Sequence, residues 1–421
     1  MPFFSPSSSE SSHPPKNGES LSEAFLDTSS VRDTLPEQYR THFDELRGSI
    51  LAFCHEFDIP VSALSNKEVF GVELNSKKIP QERMKEAVSL FERLEHLVTN
   101  REPLKKELPE YLQEVESLYH LTEQYASQFN LLKEAGILNE RNAIVGIDGE
   151  EYSVPTLEQI AQRLYERREE LSVKRDQGFT KLLLVPFGMS LDTLCRTLKQ
   201  FLLSYKTNHP DFDLDIDDPL YTLVEGYEGG DLGNAPKLFY DPQLFDRENI
   251  NNHGGKTKTK ILEEQDDRDQ VQGDGGVGWH ILLLQPSNLE GVTPIPREGK
   301  GTKRGYTIPR PDIEAGQSSK IYLEILQEAK GDPISPYYGE SGMTPEDWIL
   351  AFMTHLTETG KPLDDDGTDT ESMSFLIGGF IPSFSSVPRV FWNDLSHQVN
   401  LGRGVFPAKN IVTGTRFVVR V

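Results

Sequence analysis

The run GWHILLLQ, residues 278–285, is four consecutive large aliphatic side chains entered through Gly278, Trp279 and His280 and closed by Pro286. A run this short, bounded by glycine and proline, reads as a strand. The last seven residues, TRFVVRV (415–421), have the same character. The two runs are expected to pair, because the ends of a domain often lie close together. Between them the periodicity changes. Residues 319–329 and 345–359 carry helical spacing, the second opened by Thr344 as cap, and strand candidates follow at 374–380, 389–392 and 398–401. Trp279, Trp348 and Trp392 fall on the first strand, the second helix and a late strand, where aromatics build a core. Residues 278–421 therefore read as one α+β domain.

Upstream, residues 206–277 read as an acidic, Gly-rich connector. HPDFDLDIDDP (209–219), NNHGGKTKTK (251–260) and EEQDDRDQVQGDGGVG (263–278) hold no sustained period. Before it, 141–205 reads as a small α+β unit. Asp148-Gly149 is a hairpin turn between 143–147 and 150–154. Thr156 and Gln159 have capping-box spacing for a helix ending near Gln177, 181–187 is a strand, and Ser190 opens a helix through Leu191, Leu194, Leu198, Leu202 and Tyr205. Residues 31–140 read as a helical bundle with three apolar stripes: Tyr39 to Phe57, Met84 to Val98, and a third from Pro103 through Leu132. Residues 1–30, rich in Ser, Pro, Gly and Glu, are expected to be a disordered arm. The fold class is α+β throughout.

Sixty-seven acidic residues against 43 basic ones give a net charge of −24. Such a surface repels phosphate backbones and anionic lipid, so nucleic acid and membranes are not expected partners. Residues 206–250 hold 11 acidic and 3 basic residues and are the acidic centre of the chain. The two cysteines, Cys54 and Cys195, have no C-x-x-C spacing and are expected to be buried free thiols. With no signal sequence and no apolar run of about 18 residues, a cytoplasmic location is expected.

The motifs offer weak chemistry. GGKT (254–257) lacks the upstream glycine of a phosphate loop, since position 250 is Ile250. Gly188-Met189-Ser190 sits where a hydrolase nucleophile turn would sit, but Asp192 replaces the second glycine, and a Ser followed by Asp is a helix cap. Asp211, Asp213, Asp215 and Asp217 alternate with Phe212, Leu214 and Ile216, so an extended chain would aim all four carboxylates one way. Asp364, Asp366, Asp369 and Glu371 around Gly367 are the oxygen cluster offered to a metal; calcium is the ion they suit, and no other cofactor is expected.

Four segments carry a resemblance: GWHILLLQ (278–285), TPEDWILAF (344–352), VFWNDLSHQVNLGRGVF (390–406) and GTRFVVRV (414–421). Together they resemble a C-type-lectin-like fold of the kind found in formylglycine-generating-enzyme relatives and in the variable proteins of diversity-generating retroelements. The resemblance implies a first strand, two helices, and closing strands of which the last returns beside the first. It also implies a binding face. Two departures narrow it: no cysteine follows Cys195, as formylglycine generation would need, and Trp392-Asn393-Asp394 lacks the second element of a calcium-dependent sugar site.

The functional expectation is a non-enzymatic ligand- or protein-binding protein acting through the 392–403 loop. Asn393, Asp394, Ser396, His397, Asn400 and Arg403 are the expected contact residues, for a protein or glycan. The alternative is a hydrolase or metal-dependent enzyme using Ser190 or a metal held near Asp364.

Overall fold

The computed structural model describes residues 28–65, 67–77, 79–101, 103, 109–222, 229–232, 236–246, 251–272, 276–287, 294–365, 372–405 and 408–421. Helices and several sheets make it an α+β protein, in two compact units, 1–113 and 114–421. The arm expected at 1–30 lies outside the described residues up to position 27; helix begins at Thr28.

In the first unit, α1 (Thr28–Thr34), α2 (Glu37–Glu56), α3 (Lys67–Ser76) and α4 (Gln81–Asn100) share one core. The expected stripes build it: Tyr39, Phe43, Leu46, Ile50 and Phe53 from α2 meet Phe91, Leu94 and Leu97 from α4. Helix α3 was not legible. Its Val69 and Val72 are exposed, and only Phe70 and Leu74 turn inward, too few to register as a stripe. Phe70 stacks on Phe91 at 5.2 Å.

The third expected helix is two, α5 (Glu110–Tyr119) and α6 (Leu121–Glu134), broken at His120 in the left-handed region. Glu116 fixes the break by accepting hydrogen bonds from the backbone and hydroxyl of Thr122, at 2.8 and 2.7 Å. Helix α6 belongs with the sheet of the second unit and not with the bundle. Gln124 and Gln128 bond the backbone of residues 180, 182 and 184.

Strands β1 (Ala143–Val145) and β2 (Glu151–Ser153) pair across the Asp148-Gly149 turn as expected. Thr156 caps α7 (Leu157–Glu166) in a full capping box, and α8 (Arg168–Asp176) continues after a break at Arg167. Strand β3 (Lys181–Val185) leads to Ser190, which caps α9 (Leu191–Asn208). Within 206–277, read as connector, the chain forms β4 (Leu220–Thr222), β5 (Phe239–Tyr240) and α10 (Lys258–Gln272). These elements are ordered by partners far along the chain, which local periodicity cannot reveal.

Strand β6 (His280–Leu284) is the sequence's decisive run, followed by β7 (Lys303–Arg304), β8 (Arg310–Pro311), α11 (Ser319–Ala329), β9 (Glu340–Gly342) and α12 (Pro345–Thr359). Gly278, at φ 78, must be glycine here, because a Cβ would lie 2.6 Å from the Tyr152 ring. The chain closes through β10 (Met373–Phe375), β11 (Gly379–Phe380), β12 (Ser386–Asn393), β13 (Gln398–Val405), β14 (Thr413–Thr415) and β15 (Phe417–Arg420). Strand β15 does return beside β6, with Val419 opposite Leu283.

The main sheet has the order β3-β6-β15-β9, all antiparallel. Residues expected in separate units, 181–185 and 280–284, are thus neighbours in one sheet. A second sheet, β14-β10-β12-β13-β4, takes its edge strand from the expected connector. The boundaries expected at 205/206 and 277/278 do not divide the structure. Helix α12 is buried on nearly every side, including Trp348, Phe352 and Leu356, and packs on β3 and α9. Among the described residues no helix is long and apolar enough to cross a membrane.

Two buried ionic knots and one half-buried pair tie these layers. Lys174 and Arg310 share Glu340, at 2.7 and 2.8 Å. Lys258 bridges Asp231 and Glu346, at 2.7 and 2.8 Å, with all three side chains sealed from solvent. Burial opposes the Lys258 charge, but Glu346 and Asp231 outweigh it and hold its pKa above that of an ordinary lysine. Arg420 grips Asp241 through two 2.7 Å bonds.

Candidate functional site

The segment expected as a recognition loop is a β-hairpin. Strands β12 and β13 pair over eight positions, from Ser386 opposite Val405 to Asn393 opposite Gln398, leaving only residues 394–397 as the turn. Asn393 shapes it: its side-chain oxygen accepts from the backbone N–H of Leu395 and Ser396, at 3.0 and 3.2 Å. His397 closes it with φ 51.

A strap, residues 211–219, lies along the hairpin's tip. Asp215 N–H donates to the His397 carbonyl at 2.9 Å, Gln398 Nε2 to the Asp218 carbonyl at 2.7 Å, and Val399 N–H to the Pro219 carbonyl at 3.0 Å. Strand β4 then continues parallel to β13. Phe212 packs on Trp392 with centroids 5.3 Å apart, and Leu214 is buried. The expected alternation therefore holds through Leu214 and fails at Ile216. The Asp215 carboxylate accepts from the N–H groups of Asp217 and Asp218, at 3.0 and 3.2 Å, and the turn this makes throws Ile216 outward.

The six expected contact residues do not form one patch. Only Asp394 among them is exposed; the others are half-buried. Asn393 is spent on the turn, and His397 Nε2 lies 3.4 Å from Asp213. The Ser396 hydroxyl is shut away from solvent, though its residue is half-buried. Asn400 and Arg403 are three apart on β13, and successive side chains on a strand alternate, so they lie on opposite faces. Arg403 stacks over the Phe384 ring at 4.0 Å. A sequence read as loop carries no alternation, which is why the six looked equivalent.

The hairpin tip instead exposes residues that sequence reasoning passed over. Leu395 is 93% exposed at the tip, Ile216 is 59% exposed on the strap, and Tyr221 is 43% exposed on the neighbouring strand β4. Asp211, Asp213, Asp217, Asp218 and Asp394 are exposed around them. The available signal was Leu395 itself, a large aliphatic residue in a polar turn with no periodic neighbours.

Of the metal candidates, Asp364 is fully buried and already committed. Its carboxylate accepts from Arg416 Nε at 2.8 Å, Arg416 Nη2 at 2.5 Å and Trp348 Nε1 at 2.8 Å, and its carbonyl accepts from Trp392 N–H. It is a structural anchor and not a calcium ligand. Asp366, Asp369 and Glu371 lie outside the described residues. Among the described residues no group of three or more metal-binding side chains occurs. The Ser190 hydroxyl accepts from Thr193 N–H and donates to Thr193 Oγ1, as a cap does. In GGKT, Lys256 pairs with Glu264. Cys54 is buried, and burial pushes its thiol up to about 11. Cys195 is half-buried rather than buried, and its thiol is pushed up by burial and by Glu346, Asp192 and Asp231.

A cleft of about 850 Å³ opens between α7, α10 and the end of the main sheet. His280 reaches it with Nδ1 held by Asp347 Oδ1 at 2.9 Å and its ring stacked on Phe187 at 4.0 Å. The described cleft wall carries arginines, a lysine and carboxylates beside this oriented imidazole. Compared with known proteins, the chain matches no family model, no curated protein and no solved structure.

Proposed function

We propose that the chain is a binding protein that docks a basic, amphipathic segment of a partner protein on the β12–β13 tip and its acidic strap. The observation that carries this reading is Leu395, 93% exposed on a turn held rigid by Asn393 and the strap, with Ile216 exposed on that strap among carboxylates. Loops on a rigid scaffold are where recognition accumulates. An apolar anchor ringed by one sign of charge suits a partner with leucine-like side chains flanked by lysine or arginine, because the field steers the encounter and the anchor holds it. The overall charge of −24 adds to that steering.

The test uses a synthetic peptide of alternating leucine and lysine, with a leucine–glutamate peptide as control, titrated against the whole chain. The lysine peptide should bind and weaken as salt rises. Burying one leucine is worth about 1.5–3 kcal/mol, so the double variant Leu395→Asp, Ile216→Asp should weaken it by at least about tenfold, with Tm unchanged. Equal binding of both peptides, or no loss in the double variant, contradicts the reading, as does binding of an uncharged glycan in their place.

A further inference from the structure

At the end of the main sheet opposite the His280 cleft there is a second opening. Because the strands are antiparallel, the start of β3, the end of β6 and the start of β15 meet there, bringing Lys181, Leu284 and Arg416 to one rim. Helix α12 roofs it with Ala351, Thr354, His355 and Glu358. Those positions fall at i, i+3, i+4 and i+7, one helical face. The slot measures about 50 Å³. Its floor is apolar, with Leu183, Ile313 and Leu363 among its lining.

The cations at this slot keep donors in reserve. Arg416 donates from Nε and Nη2 to Asp364 and from Nη1 to the Ser287 hydroxyl at 2.9 Å, leaving one hydrogen on each Nη. Lys181 Nζ pairs with Glu358 and has further hydrogens. Glu358 is the one carboxylate among the described lining residues, in a chain where acids outnumber bases. His355 faces these cations from α12. Burial, then Arg416, Lys181 and Lys361, push its pKa down to about 4.

We propose that this slot binds a small oxyanion, held by Lys181, Arg416 and the Ser287 hydroxyl over the apolar floor. The ligand's charge would replace what Glu358 now supplies to Lys181, and its remaining atoms would rest on the aliphatic lining. A free phosphate and a short-chain carboxylate share this chemistry; the apolar floor favours the carboxylate.

Calorimetric titration of the whole chain with butyrate and with inorganic phosphate tests it, alongside NMR titration of His355. The site predicts saturable binding of at least one probe. It also predicts a rise of about one pH unit or more in the His355 pKa when the probe is bound, since a nearby anion favours the imidazolium. Tighter butyrate binding assigns a carboxylate ligand, and tighter phosphate binding a phosphate; either supports the site. Lys181→Met should weaken binding by at least about tenfold, the loss of one charge-assisted contact, while Glu358→Gln should strengthen it. Both substitutions are at partly exposed side chains, and neither should unfold the chain. Absence of saturable binding by both probes, binding indifferent to both substitutions, or an unmoved His355 pKa overturns the proposal.

Discussion

Among the described residues the buried ionic side chains are paired, and the partner often comes from far along the chain. Asp364 meets Arg416 52 residues later, and Lys174 meets Glu340 166 residues later. His355 is the informative exception, because its neighbours are cations: Lys181 from β3, Arg416 beside β15 and Lys361 beyond its own helix, with Glu358 one turn on. Its folded pKa of about 4 lies below the unfolded value of about 6.5. Between those values the unfolded chain binds the proton and the folded chain does not, so stability is full above about pH 6.5 and falls as pH drops toward 4. The loss is at most about 3 kcal/mol before solvent screening. Chemical denaturation at pH 7 and pH 4.5 should show it, and His355→Asn should remove that share of the pH dependence; an unchanged pH profile in the variant would rule it out. Residues whose role is local were legible in sequence: the caps at Thr156, Ser190 and Thr344 all form. Asp364 was misread as a metal ligand because nothing near it in sequence names Arg416.

The elements sort by the same rule. The long stripes of α2 and α4 and the apolar runs of β3, β6 and β15 were readable because burial on one face or both leaves a pattern in neighbouring residues. Two- and three-residue strands such as β4 and β5 leave none, and their order depends on β13 and β11. The hairpin β12–β13 was half seen: its strands were expected at 389–392 and 398–401, but both run longer, turning supposed loop residues into paired ones. The pairing of β15 with β6 makes the last strand central, between β6 and β9. Phe417, Val418 and Val419 are buried there, and three such side chains together are worth about 5–9 kcal/mol. That is comparable to the whole stability of a typical domain, about 5–15 kcal/mol. Deleting residues 415–421 should therefore abolish the cooperative transition of the second unit and its near-ultraviolet circular dichroism; a retained transition at an unchanged temperature would show that β15 is dispensable.

Taken whole, the molecule is an acidic α+β protein whose second unit folds from segments that composition had divided among a bundle, a small α+β unit, a connector and a terminal domain. The connector's acidity is what its position on the structure explains: the carboxylates of 211–218 flank the tip of the hairpin, while Phe212 and Leu214 fasten the strap beneath. Carboxylates thus line the strap that holds a turn bearing an exposed apolar side chain, and the proposed docking rests on that placement. Hydrogen–deuterium exchange of the whole chain, with and without the leucine–lysine peptide, tests it most directly. Docking at the tip should slow exchange at residues 213–218 and 394–398 alone, and the slowing should vanish in the Leu395→Asp, Ile216→Asp variant; protection along the α7–α10 cleft instead, or nowhere, would contradict the docking.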